Sequence, residues 1–230
     1  MKSYCVICGE IRHIEFEDEI PAYEGRFYCY ECDEKTLFVA ENEEIPKKYS
    51  RATFANFESD GSKLKSYGFN QDDIINIVKV KEKVQDLIED ISKGLPKLSI
   101  FYGKPGTGKS LLASASINSL LKKGFSAELI SANHLLYACM NNESYLNTIN
   151  RLSGKSLVVI DDFTNVTNSE FTKKVMHDVI DGAYSNLQSL IITTNLTIES
   201  LNKMLTTGSL DRLNEGNRNI IFFNWKSFRI

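Results

Sequence analysis

The sequence predicts an α/β protein, with a parallel sheet covered by helices on both faces and a small cysteine-rich module in front. Three observations carry this expectation. Short apolar runs alternate with helix-period segments from about residue 72 to the end. The run Leu157-Val-Val-Ile160 is wholly apolar and bounded by charge, as in a strand buried on both faces. A glycine-rich stretch, Gly103-Lys-Pro-Gly-Thr-Gly-Lys-Ser110, joins one such run to one such helix.

The expected division is a four-Cys module over residues 1–40, a charged linker over 41–56 and the main domain over 57–230. Short hairpins are expected around residues 4–7 and 26–30. Residues 72–91 carry Ile74, Ile77, Val78, Val84, Leu87, Ile88 and Ile91 along one helical face, ended by Gly94 and Pro96. Residues 98–102 form the first core strand and 111–123 the helix after the glycine-rich stretch, capped by Gly124. A strand at Ala127–Ser131 and a helix at 132–140 follow. Then come a strand at 157–160, a helix at 169–186 and a strand at 189–193. Helices at 198–206 and 210–213 and a strand at Asn219–Phe223 close the pattern. Lone Cys139 reads as a core filler, and Trp225, Phe222, Phe223 and Phe228 as a core edge. Tyr137 and Tyr145 read as packing residues, with stacking on bases as the alternative.

The stretch 103–110 has the form G-x-x-x-x-G-K-S and lies between a strand and a helix, the setting of a phosphate-binding loop. Gly103, Lys104, Pro105, Gly106, Thr107 and Gly108 would turn tightly and aim N–H groups at phosphate oxygens. Lys109, Ser110 and Leu111 would open a helix whose positive end faces them. Lys109 would reach the β- and γ-phosphates and Ser110 would hold Mg²⁺. About fifty residues on, Asp161 and Asp162 end an apolar strand. Asp161 would hold Mg²⁺, and Asp162 would orient or deprotonate an attacking water. Asn195 ends the next strand and reads either as a contact between γ-phosphate and water or as a helix cap. Arg212 and Arg229 read from chemistry alone as local ion pairs, Arg212 with Asp211 or Glu215. The competing use of such a guanidinium is on transition-state phosphate charge.

Cys5-x-x-Cys8 and Cys29-x-x-Cys32, with twenty residues between them, have the spacing of a four-thiolate structural Zn²⁺ site. The alternative, two disulfides, needs an oxidising compartment. No apolar run reaches the length of a membrane span and the N-terminus has no signal-like apolar core, so a cytoplasmic protein with no membrane partner is expected. Residues 1–46 carry 4 Lys/Arg against 12 Asp/Glu, and the remainder 23 against 18. An acidic head suits a protein partner, while the mildly basic body tolerates nucleic acid.

The stretches 103–110, 159–162 (Val-Ile-Asp-Asp), 193–195 (Thr-Thr-Asn), 211–213 (Asp-Arg-Leu) and 223–229 (Phe-Asn-Trp-Lys-Ser-Phe-Arg) together resemble the DnaC/DnaI/IstB group of AAA+ ATPases. The likeness runs over about residues 46–230, and its C-terminal part is most like bacterial and phage helicase loaders. It implies a P-loop NTPase with an AAA+ RecA-like sheet; with the sequence ending at Ile230, no helical lid domain is expected, a departure from the wider class. It also implies ATP and Mg²⁺ as cofactors, slow hydrolysis stimulated by assembly or DNA, and a homo-oligomer. The implied task is placing a replicative DNA helicase on single-stranded DNA. By this resemblance Asn195 matches the first sensor, Arg229 the second, and Arg212 a finger acting on a neighbouring subunit's ATP. Residues 132–150 match a DNA-contacting insertion, and the zinc head resembles the DnaI-type domain that grips the helicase. Asp162 departs from the commoner AAA+ glutamate. An IstB-like transposition helper is the alternative, disfavoured by the zinc head and the loader-like C-terminus.

Overall fold

In the computed structural model, the described residues are 49–215 and 219–229, with the backbone of three short strands before them. Those strands are β1 (Lys2–Cys5), β2 (Ile11–His13) and β3 (Arg26–Phe27). β1 pairs antiparallel with β2, as a hairpin near residues 4–7 requires. β3 runs parallel to β1, and the rest of the second expected hairpin lies outside the described residues. Cys8, Cys29 and Cys32 and the side chain of Cys5 lie outside the described residues, and the zinc expectation with them.

The main sheet is built from β4 (Leu98–Gly103), β5 (Ala127–Ser131), β6 (Leu157–Asp161), β7 (Ser189–Thr194) and β8 (Asn219–Phe223). Its order is β5-β6-β7-β4-β8 and every pairing is parallel. Parallel neighbours cannot be joined by hairpins, so the chain crosses over through helices that cover both faces. β6 shows the consequence for its side chains. Leu157 and Val159 enter the core on one face, and Val158 and Ile160 the core on the other.

One face is covered by α1 (Gly61–Ser66), α2 (Gln71–Ser92) and α3 (Lys109–Lys122). Asn70 caps α2 by accepting from the Asp73 N–H at 2.8 Å, and Asp72 and Asp73 sit at its positive end. Ile77, Val84, Leu87, Ile88 and Ile91 are buried along it. The other face is covered by α4 (Ala132–Ala138), α5 (Asn142–Ser153), α6 (Glu170–Ser185), α7 (Ile198–Lys203) and α8 (Thr207–Glu215). The single helix expected over 132–140 therefore stops at Ala138, and a second starts after Asn141. The Asn141 side chain accepts from the Ser144 N–H at 2.9 Å, the bond that begins α5. The short α1, capped by Asp60, carries too few apolar residues to show a period.

Residues 49–56, assigned to the linker from sequence, pack on α3. The Asn118 amide donates to the carbonyls of Ser50 and Ala52 at 3.1 and 2.8 Å. Cys139, Phe223 and Trp225 are buried as expected, but Phe222 is half-exposed and stacks on Tyr102. Tyr145 is tied down by donating to Asp178. Tyr137 is 72 % exposed, which overturns its assignment to packing.

Candidate nucleotide site

The carboxyl ends of β4, β6 and β7 open onto a cleft of 580 Å³. Its phosphate end is made by Gly106, Gly108, Lys109, Ser110, Asp161, Asp162, Thr193 and Asn195. This is where parallel sheets place their ligands. Its more apolar end, which meets the loop where Phe57 packs at Gly108, is lined by Tyr49, Asn56, Phe57, Glu58, Leu111 and Phe228.

The loop between β4 and α3 takes its shape from glycine. Gly106 has φ +78° and Gly108 φ +92°, in the left-handed region that other residues rarely adopt. A Cβ on Gly106 would lie 2.1 Å from Ser227 Oγ, and one on Gly108 2.5 Å from the Phe57 ring. Gly108 heads α3 without a side-chain cap, so the first N–H groups of that helix are left for an anion. Lys109 is 6 % exposed and its ammonium donates to the Gly103 and Lys104 carbonyls, each at 2.8 Å. Burial pushes its pKa down to about 8. Asp161 and Asp162 oppose that shift and Arg229 adds to it.

The acids are fixed by β7. The Thr193 hydroxyl donates to Asp161 at 2.5 Å and accepts from the Asp162 N–H at 2.9 Å. Asp162 has φ +56°, a strained conformation for a residue with a Cβ and one that clusters at functional sites. The Phe163 N–H donates to the Thr193 carbonyl at 2.9 Å, and the Thr194 hydroxyl to the Phe163 carbonyl at 2.6 Å. The strand end is thus sewn to the turn carrying both acids.

Asn195 lines the cleft beside these acids, and Thr197, not Asn195, caps α7. Its cap reading therefore gives way. Arg229 also lines the cleft, held near the loop by its N–H bond to Ser227 Oγ at 2.9 Å. Arg212 does not line it. Arg212 pairs with Asp181 on α6 rather than with Asp211 or Glu215, and donates to the Gly208 carbonyl at 3.3 Å.

Sequence reasoning missed the apolar end of the cleft. Tyr49 and Asn56 fell in the assigned linker, and Phe57 and Glu58 at its border. The signal present was the approach segment's own aromatic pattern, with Tyr49, Phe54 and Phe57 close in sequence.

The donor set fits a nucleoside triphosphate with Mg²⁺. An ammonium, an uncapped helix start and a glycine loop with no room for a Cβ meet one hydroxyl and two carboxylates. Among the described residues no group of three or more His, Cys, Asp or Glu could hold a metal ion, so nothing there resembles a zinc centre.

This sheet, loop and acid pair define a P-loop nucleotide-binding domain of the AAA+ class. The chain belongs to the family described as IstB-like ATP binding protein, whose model matches residues 49–229. It is 32% identical over 152 residues to the replicative helicase loader DnaC of Escherichia coli (strain K12), covering 64% of this chain and 62% of that one. The chain thus spans less than two thirds of that relative's length. Its fold is shared with a crystal structure of the DnaC helicase loader, at TM-score 0.59 and 20% identity over 77% of this chain and 99% of that one. It is shared as well with a crystal structure of DnaI, at TM-score 0.61 and 15% identity over 80% and 94%. No helix among the described residues is long and apolar enough to cross a membrane.

Proposed function

We propose that this protein is an ATP-dependent DNA-replication factor that binds a replicative helicase and loads it onto single-stranded DNA, hydrolysing ATP as a switch. The carrying observation is the cleft that gathers Lys109, Ser110, Asp161, Asp162 and Asn195, in a chain similar to curated proteins named as replicative helicase loaders. Bound ATP and Mg²⁺ would supply the reactive phosphoanhydride and its charge neutralisation. Lys109 and the N–H groups of residues 106–110 bind the phosphates, and Ser110 and Asp161 hold the ion. Asp162 takes the proton of the attacking water, with Asn195 orienting that water. Arg229 steadies the phosphates from the C-terminal side.

Arg212 acts in this reading on a neighbouring subunit's ATP, which agrees with its position outside its own cleft. Hydrolysis then belongs to a homo-oligomer formed with ATP, DNA or helicase. Residues 1–40 are a Zn²⁺ module on Cys5, Cys8, Cys29 and Cys32 that grips the helicase. The linker ends before residue 49, because residues 49–56 pack on α3.

The test is retention of a purified hexameric replicative helicase on immobilised protein with ATP and Mg²⁺. The full chain retains it and a truncation lacking residues 1–45 does not, while both bind ATP. Retention of a transposase, with no helicase held by either form, would favour the transposition-helper reading instead.

A further inference from the structure

Residues 225–229 lie against the phosphate loop, and two of their N–H groups donate to its carbonyls. The Trp225 indole Nε1–H donates to the Thr107 carbonyl at 3.2 Å, and the Phe228 N–H to the Gly106 carbonyl at 2.8 Å. Trp225 is 3 % exposed, wedged against Phe57 and Phe223. It is absent from the lining of the cleft, so it touches the loop from behind.

We propose that Trp225 is a positioning residue that presets the phosphate loop for anion binding. The reason lies in peptide geometry. A trans peptide is planar, so its carbonyl and its N–H point in opposite directions, and no cis bond occurs among the described residues. The Thr107 carbonyl shares its peptide with the Gly108 N–H. Held by the indole, that carbonyl turns away from the cleft, and the Gly108 N–H turns toward it. Gly108 does line the cleft. The Phe228 N–H, from a residue that lines the cleft, fixes the neighbouring peptide, which carries the Thr107 N–H. The Thr107–Gly108 peptide is easy to flip because one of the two dihedrals involved is φ of Gly108, and glycine crosses between left- and right-handed backbone at little cost. A flipped peptide would aim a carbonyl dipole at the phosphates. The indole bond removes that alternative before ligand arrives, so the ordering is not charged against binding.

The inference rests on reading the cleft as an ATP site, and it needs no helicase. Trp225 is the chain's single tryptophan, so tryptophan emission reports the surroundings of this one indole. ATP and adenosine are titrated into the full-length protein by calorimetry and by tryptophan fluorescence, and the calorimetry is repeated on Trp225→Phe. The variant keeps a ring but loses the N–H. In the parent protein, ATP and adenosine bind calorimetrically while the Trp225 emission maximum stays where it is in the free protein, because the indole contact is already made. In Trp225→Phe, adenosine affinity stays within twofold and ATP affinity falls about tenfold, the worth of one hydrogen bond that matters only to phosphate. An emission maximum that shifts along the ATP isotherm, so that the indole contact forms or breaks on binding, overturns the proposal. So does an equal loss for both ligands, or no loss for either. If Trp225→Phe does not fold, the emission arm decides. A parent protein that binds no ATP removes the ATP-site reading and this inference together. A failed helicase retention with the nucleotide pattern intact leaves the inference standing.

Discussion

The Thr193 hydroxyl donates to the Asp161 carboxylate at 2.5 Å and accepts from the Asp162 N–H at 2.9 Å, so one side chain on β7 orients both acids at the end of β6. Thr193→Val keeps the shape and removes both bonds. The expected outcome is a fall of about tenfold or more in kcat for ATP hydrolysis, with ATP affinity changed by less than about threefold. That split is expected because Lys109 and the loop N–H groups, which bind phosphate, are untouched. Steady-state kinetics beside calorimetric titration checks it.

Lys109 gives the ATP affinity a defined pH dependence. Its ammonium titrates near 8 in the free protein because burial disfavours the charged form. ATP binds the charged form, and its phosphates raise that pKa in the complex. Affinity is therefore level below about pH 7 and falls as pH rises through 8. From pH 7 to pH 9 the loss is about tenfold, or ~1.4 kcal/mol. Calorimetry in buffers of different ionisation enthalpy should also show proton uptake on binding near pH 8. A pH-independent affinity over this range would contradict the assignment.

Gly108→Ala adds a Cβ 2.5 Å from the Phe57 ring at a backbone φ of +92°. Strain and crowding together should cost about 2–4 kcal/mol of stability. Urea unfolding measures it. Adding Phe57→Leu should recover the crowding part and not the backbone part, so rescue is partial.

Arg212 tests assembly. Arg212→Ala keeps an intact cleft, and Lys109→Ala keeps an intact guanidinium. Each alone should be nearly inactive, and mixing them should restore part of the ATPase activity, rising with protein concentration. Two folded, associating variants that recover nothing on mixing would leave the Asp181 ion pair as the whole role of Arg212.

Zinc is read directly by elemental analysis, with about one Zn per chain expected. Chelation, or Cys5→Ser, should abolish helicase retention and spare ATP binding, because the nucleotide cleft is built from residues 49–229. Metal-free protein with two disulfides would contradict the four-thiolate site.

The strands and the phosphate loop were legible because each is written in a contiguous run. Leu157–Asp161 is apolar throughout and ends in acids, and Gly103 to Ser110 carries its own spacing. The apolar end of the cleft was not legible, because Tyr49, Asn56 and Phe57 reach it only when the chain folds back over α3. The break between α4 and α5 was hidden by a polar Asn-Asn pair, of which Asn141 serves as a cap and Asn142 as the first helical residue. The partner of Arg212 was misjudged because neighbours in sequence were weighed, while the carboxylate that meets it comes from α6, thirty-one residues earlier.

The strand order has a further consequence. β4, which carries the loop, and β6, which carries the acids, are not neighbours, and β7 lies between them. Strands in a sheet are about 4.8 Å apart, so this one intervening strand sets the strand axes that carry the two halves of the site about 10 Å apart. β7 is thus a spacer as well as a scaffold, and its tip runs through Asn195 directly into α7. α7 packs on the opposite face of the sheet from α2 and α3, so the strand that separates the loop from the acids continues into the layer that does not touch the phosphate-loop helix.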